Sequence, residues 1–252
     1  MEFDFSEFGG EDGFGDTNSS DFVIPRIGLI GDLSPQIKKG NAKYIPGAEV
    51  GDIIDAALGE VLAKGYEGES VLFLPVKRIK EVITWKPRGQ GGGIVNREPL
   101  VVRMDEYATK HGAVLNDKNE WRLPNGNEMI ETWQLYGLDL SRQGMPCFIP
   151  FKKSNLKVIK PWFTKRKNTK NPKSGQTLLL LFRTILLGSF KDSGNGNEWS
   201  NWTIAEGVSL PEIDGWRDIK AGAEGFLEIL DSGAYTADVD ESGEVGDDGE
   251  AL

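Results

Sequence analysis

One cysteine, Cys147, and one histidine, His111, are all the chain has of either residue. A lone thiol excludes an intramolecular disulfide and fits a reducing compartment. A lone imidazole excludes a histidine-rich metal site and leaves no histidine pair to pass protons. Together the two could make a nucleophile and its base. Cys147 stands between Pro146 and Phe148, in an apolar setting that raises a thiol pKa rather than lowering it, so a buried inert thiol is the favoured reading. Long apolar runs are missing too. The longest, 178–187, is interrupted by Arg183 and Thr184, whereas a membrane helix needs about 20 apolar residues. The N-terminus is acidic and has no basic n-region, so no secretory leader is expected. These absences predict a soluble protein that stays where it is made.

Missing charges carry more. The chain has a net charge of -10, yet residues 140–191 contain twelve Lys or Arg and not one Asp or Glu. Residues 1–21 hold seven acids and 231–252 hold eight, and neither stretch has a base. With those fifteen set aside, 24 acids face all 29 bases, so 22–230 carries a net +5. Acid-only ends rich in Gly and Ser cannot bury enough apolar surface to offset chain entropy. Two disordered acidic tails, 1–21 and 231–252, are therefore expected around one folded domain, 22–230, long enough for a real core. A basic body attracts polyanions, and a tethered acidic tail competes for the same surface.

Within the body, strand signals prevail. Residues 22–30 read as a first strand with Pro25 near its start, and 50–54 as a short one. The strongest signal is 71–86, where Pro75 must sit at an edge or a bulge. Its second half separates by parity, with Ile79, Ile83 and Trp85 on a core side and Arg78, Lys80, Thr84 and Lys86 on a cationic side. Arg88, the glycines that follow and Arg97 mark a long hairpin. No Gly-x-x-x-x-Gly-Lys-Ser/Thr is present, so a nucleotide-phosphate loop is not expected. Further strands are predicted at 129–140, which holds Trp133, and at 145–151.

Residues 152–173 carry nine cations. Leu156, Ile159 and Phe163 make a helical stripe there, and Pro161 predicts a short helix followed by a basic loop. Residues 177–190 fit a buried strand or a core helix by periodicity alone. The Gly-rich turn at 192–197 favours a hairpin. Parity then puts Trp202 in the core with Ile204 and Trp199 on the opposite side, as an exposed platform. A last helix is predicted over 216–230. The fold class is mainly β (α+β).

Single-stranded nucleic acid is held by cations along its phosphates and by flat aromatics under its bases, the latter worth about 1–3 kcal/mol per base. The candidate cations are Arg78, Lys80, Lys86, Arg88 and Arg97, with Lys152, Lys153, Lys157, Lys160, Lys165, Arg166, Lys167 and Lys170. The candidate aromatics are Trp85, Trp162 and Trp199, with Phe163 beside them; Trp85 is the weakest, because its parity is apolar. The competing reading makes each tryptophan core and the basic run a solvated face. The acid-only ends tip the balance toward binding.

A Phe-x-x-Pro-x-x-x-Leu-x-x-x-x-Ser-Pro stretch runs from Phe22 through Pro25 and Leu29 to Ser34-Pro35, and Tyr44, Gly47, Gly51 and Asp52 follow it. Further on stand Glu81 and Trp85, then Lys153, Lys157, Lys160 and Trp162, then Trp199 and Trp202. This order, spanning 22–206, resembles the single-stranded DNA-binding proteins of tailed bacteriophages. The resemblance implies an OB-like antiparallel β-barrel with a few added helices. It also implies a protein that coats unpaired DNA in replication or recombination in the cytoplasm of the infected bacterial host, with no cofactor, no metal and no catalysis. It further implies an acidic C-terminal tail that recruits phage replication proteins, here through Asp238, Asp240, Glu241, Glu244, Asp247, Asp248 and Glu250. Two features depart from that pattern: the chain ends in Glu250-Ala251-Leu252 rather than in an aromatic residue, and Pro161 interrupts the expected helix. Two other classes compete. One is a phage structural or assembly protein; the other is a nuclease that gathers Asp52, Asp55, Asp105 and Glu106 around magnesium.

Overall fold

A computed structural model describes residues 23–194 and 196–233, apart from the Arg88 side chain, and the backbone of Thr236–Ala237. The chain opens with β1 (Val23–Ile24) and β2 (Ile27–Leu29), followed by β3 (Ile53–Asp55), β4 (Glu60–Ala63) and the long β5 (Val71–Trp85). Next come β6 (Ile94–Pro99), α1 (Met104–Lys110), β7 (Val114–Leu115), β8 (Trp121–Arg122), β9 (Glu128–Asp139), β10 (Met145–Lys152) and α2 (Leu156–Asn168). The hairpin β11 (Arg183–Gly194) and β12 (Asn197–Ser209), α3 (Trp216–Ser232) and β13 (Thr236–Ala237) complete the described residues.

β5 and β9 are the spine. Both are rich in β-branched and aromatic residues, and they pair antiparallel from Phe73↔Asp139 to Trp85↔Glu128. β11 and β6 pair with opposite ends of β5, β10 and β8 pair with β9, and the eight-stranded antiparallel sheet curls into a half-barrel. β2, β3 and β4 form a separate three-stranded sheet. Pro75 sits at a bulge, as the sequence requires: it faces Gly137, and the register then skips to Lys77↔Tyr136. A Cβ at Gly137 would lie 2.2 Å from the Leu74 carbonyl oxygen and 2.4 Å from the Phe73 ring. Only glycine allows that approach.

Three apolar clusters hold the sheet. The inner face buries Phe73, Leu135, Ile149, Phe151, Ile185 and Trp202, and α2 adds Leu156, Ile159 and Trp162. The opposite face buries Leu74, Tyr136, Leu138 and Phe148 against Phe226 and Leu230 of α3. At the far end Val82 and Met129 lie with Ala108 of α1. Each large side chain removed from water contributes about 1.5–3 kcal/mol. Arg142, after β9, ties the sheets together: it reaches Asp55 at 2.6 Å and Asp139 at 2.7 Å, and both aspartates are buried. Burial alone lowers its pKa, but the hydrogen bonds it donates to the two carboxylates and their charge outweigh that and raise it.

Several expectations need correction. α2 runs through Pro161 to Asn168 instead of giving way to a loop. Pro161 lies on the exposed side of the helix, where the backbone carbonyl it leaves without a donor can be hydrated. The buried stripe is Leu156, Ile159, Trp162 and Arg166, with Phe163 at its margin. Of the two readings left open for 177–190 the strand holds from Arg183 onward, as the start of β11, with only a 3-10 turn, Leu180–Phe182, before it. α3 extends past 230 to Ser232, Asp231 pairs with Lys77 at 2.6 Å, and Thr236–Ala237 pairs in parallel with Val23–Ile24. The acidic tail therefore does not begin at 231. The expected disorder of 1–21, and the partner-binding residues Asp238, Asp240, Glu241, Glu244, Asp247, Asp248 and Glu250, lie outside the described residues.

Candidate nucleic-acid interface

Directly opposed residues of an antiparallel pair point to the same face. In β5 and β9, Lys80 opposes Trp133 and Arg78 opposes Leu135, so both cations share the inner face beyond the end of its apolar filling. α2 crosses there and brings Phe163 and Lys160. The Arg78 guanidinium carbon lies 4.5 Å from the Trp133 ring centroid and 4.5 Å from that of Phe163. The two rings meet edge to face at 5.5 Å, making a notch for it. Lys160 Nζ is 5.4 Å and Lys80 Nζ 6.0 Å from the Trp133 centroid. Glu131 accepts from Trp133 Nε1 at 2.7 Å and from Lys160 Nζ at 3.1 Å.

Three cations thus meet one carboxylate. Among the described residues neither Arg78 nor Lys80 has an ion-pair partner, and Lys157, one turn before Pro161, is exposed without one. Burial lowers the Arg78 pKa and Glu131 partly restores it; a guanidinium stays charged under such shifts. The arrangement can grip an anion. Each cation above an aromatic face gains about 0.5–2 kcal/mol of attraction, which fixes its position before any ligand arrives.

The other predicted residues divide. Trp85, Lys152 and Arg97 belong to the opposite face: Lys152 Nζ is 5.8 Å from the Trp85 centroid, and Arg97 holds Glu81 through two contacts of 2.6 and 3.2 Å. Lys153 pairs with Glu128 at 3.1 Å and Lys165 with Glu206 at 3.4 Å. Lys170 donates to Thr177 at 2.6 Å, and Lys86 and Lys167 are exposed. Arg88 keeps its place at the hairpin tip, but its side chain is outside the described atoms.

Three placements are corrected. Arg166 is 5% exposed and donates to the Leu179 carbonyl, and burial lowers its pKa; it falls on the buried stripe because α2 outlasts Pro161. Trp162 lies on that stripe too, in the inner core rather than under a ligand. Trp199 is half-buried, with its ring close to Gly194 across the hairpin, while Trp202 is core as parity requires. Trp133 and Glu131 carry no binding signal of their own in the linear sequence. The signal for them is the pairing register, which places Trp133 beside Lys80.

The alternative chemistries find less. Asp52 is paired with Lys64 at 2.6 Å, Asp55 with Arg142 and Asp105 with Arg103 at 2.7 Å. Among the described residues no three His, Cys, Asp or Glu side chains gather to hold a metal. Cys147 is fully buried in the inner core, which pushes its thiol pKa well up, whereas His111 stacks on Tyr107 at the end of α1. No helix among the described residues is long and apolar enough to cross a membrane.

The model of the Pam3 phage gp34-like protein family matches residues 2–234. The chain belongs to that family. No curated protein and no solved structure matches it. In this gp34-like protein the matched span takes in α1, α2, α3 and every described strand except β13, and hence the whole Arg78 cluster.

Proposed function

We propose that this gp34-like phage protein binds single-stranded DNA without strong sequence preference, on an OB-like barrel, during phage replication or recombination in the host cytoplasm. The observation that carries the reading is the Arg78 cluster: a guanidinium held between two rings, free of any ion pair among the described residues, beside Lys80 and Lys160. It lies against the segment 140–191, which has no acidic residue. Phosphates held there would release counterions. With about four to six contacts, log affinity falls with log salt at a slope of about -3 to -4. In this reading the acidic residues after Ala237 compete with DNA for that face and offer phage replication proteins a contact.

The test is a mobility shift with oligo-dT at low salt, using the chain cut after Ala237 so that α3 and β13 stay whole. A complex that weakens steeply with salt, and that forms more tightly than with the full chain, supports the reading; no complex at low salt rejects it. A phage structural or assembly role is the second reading. It is favoured by the carboxylate partners that Arg97, Lys153, Lys160 and Lys165 already hold, and it predicts the protein in purified virions.

A further inference from the structure

We infer, resting on the DNA-binding reading, that the Arg78 cluster recognises the phosphodiester backbone and stacks no bases. A base needs an open ring face, and the rings at the cluster are buried or occupied by its cations. Trp133 is 8% exposed, with Arg78 and Lys160 over its ring. Phe163 is half-buried, with Arg78 over its ring and T-shaped contacts to Trp133 at 5.5 Å and to Trp162 at 4.9 Å. Trp162 is itself sealed in the core at 7% exposure. The exposed aromatics among the described residues, Tyr66 and Phe190, stand elsewhere. Phe190 is on β11, and Tyr66 is hydrogen-bonded to Ser200 of β12 at 2.9 Å, whereas the cluster joins β5, β9 and α2.

The rings therefore act on the arginine, not on the nucleic acid. Held in the notch of Trp133 and Phe163, the guanidinium keeps its N–H fork for two oxygens of one phosphate, a match that lysine cannot make. Lys80 supplies a second, less directional charge. Glu131, between Trp133 Nε1 and Lys160, keeps indole and ammonium in place.

The experiment compares fluorescence anisotropy of the full chain at low salt with two labelled ligands: oligo-dT of about twelve nucleotides, within usual site sizes, and an abasic deoxyribose-phosphate chain of equal length. The two affinities should agree within about threefold and fall with salt at the same slope. Stacking of even one base would separate them by about 5- to 150-fold, so a gap beyond about fivefold that survives Tyr66→Ala and Phe190→Ala overturns the inference while leaving the DNA-binding reading intact, whereas a gap that those substitutions abolish places the stacking outside the cluster. Arg78→Lys should weaken both ligands equally, by about tenfold, with thermal unfolding unchanged. If that variant binds both as before, the cluster is not the contact and the inference fails. If neither ligand binds the unaltered chain, the binding reading itself falls, and this inference with it.

Discussion

Arg142 holds two buried carboxylates from different sheets, Asp55 and Asp139. Removing the arginine leaves both charges uncompensated in the interior, so Arg142→Ala should cost about 3–5 kcal/mol. It would be seen as a lower urea midpoint with an unchanged slope. Cys147, fully buried with its thiol pKa pushed up, should ignore a thiol reagent such as DTNB in the native state and react at once in denaturant. Rapid reaction of the folded protein would contradict that burial. At this scale the sequence was readable where a residue's own chemistry decides, as for Cys147, Pro75 and the inward Trp202. It was not readable where a partner decides. Nothing near Gly137 in the chain announces the Leu74 carbonyl above it, and nothing near Trp133 announces Arg78, which is brought there by pairing across more than fifty residues.

Strands β5, β9 and β10 and the β11–β12 hairpin were legible because alternation, turn glycines and β-branched content agreed. The region from β6 to β8 was less so. α1 has seven residues and the neighbouring β7 and β8 two each, too short for periodicity to register. Tyr107 of α1 donates to Glu98 of β6 in this region. Burial and that hydrogen bond raise the Tyr107 pKa from 10.0 to about 12. Since the folded value is the higher one, its stabilisation is complete below pH 10.0 and is lost as pH rises through about 12. Tyrosinate absorbance should include a late step that Glu98→Gln brings earlier. α2 offers a second check. Pro161→Ala should stabilise the protein by about 2 kcal/mol, because the helix regains a hydrogen bond and loses a poor helix former, less the entropy that proline removes from the unfolded chain. A lower melting temperature would show that the proline is needed where it stands.

For the molecule as a whole, the sorting of charge along the chain was plain in the sequence, but its neutralisation in space was not. Lys153, Lys160 and Lys165 of the basic stretch meet carboxylates from β9 and β12, whereas Lys157, Lys167 and Lys173, with Arg78 and Lys80 of β5, have no ion-pair partner among the described residues. The boundary of the folded body also moved. Ending the chain at 230 should lower thermal stability, since it removes the last turn of α3, the Lys77–Asp231 pair and β13. Ending it after Ala237 should leave the melting temperature where it was. β13 lies beside β1, Val23 against Thr236 and Ile24 against Ala237, so the last described strand returns to the first. A spliced variant, with Ala237 joined to Val23 through a crossover linker of about a dozen residues, as parallel neighbours need, and opened instead at the hairpin tip between Gly194 and Asn197, should therefore fold, as circular permutants opened at exposed turns commonly do.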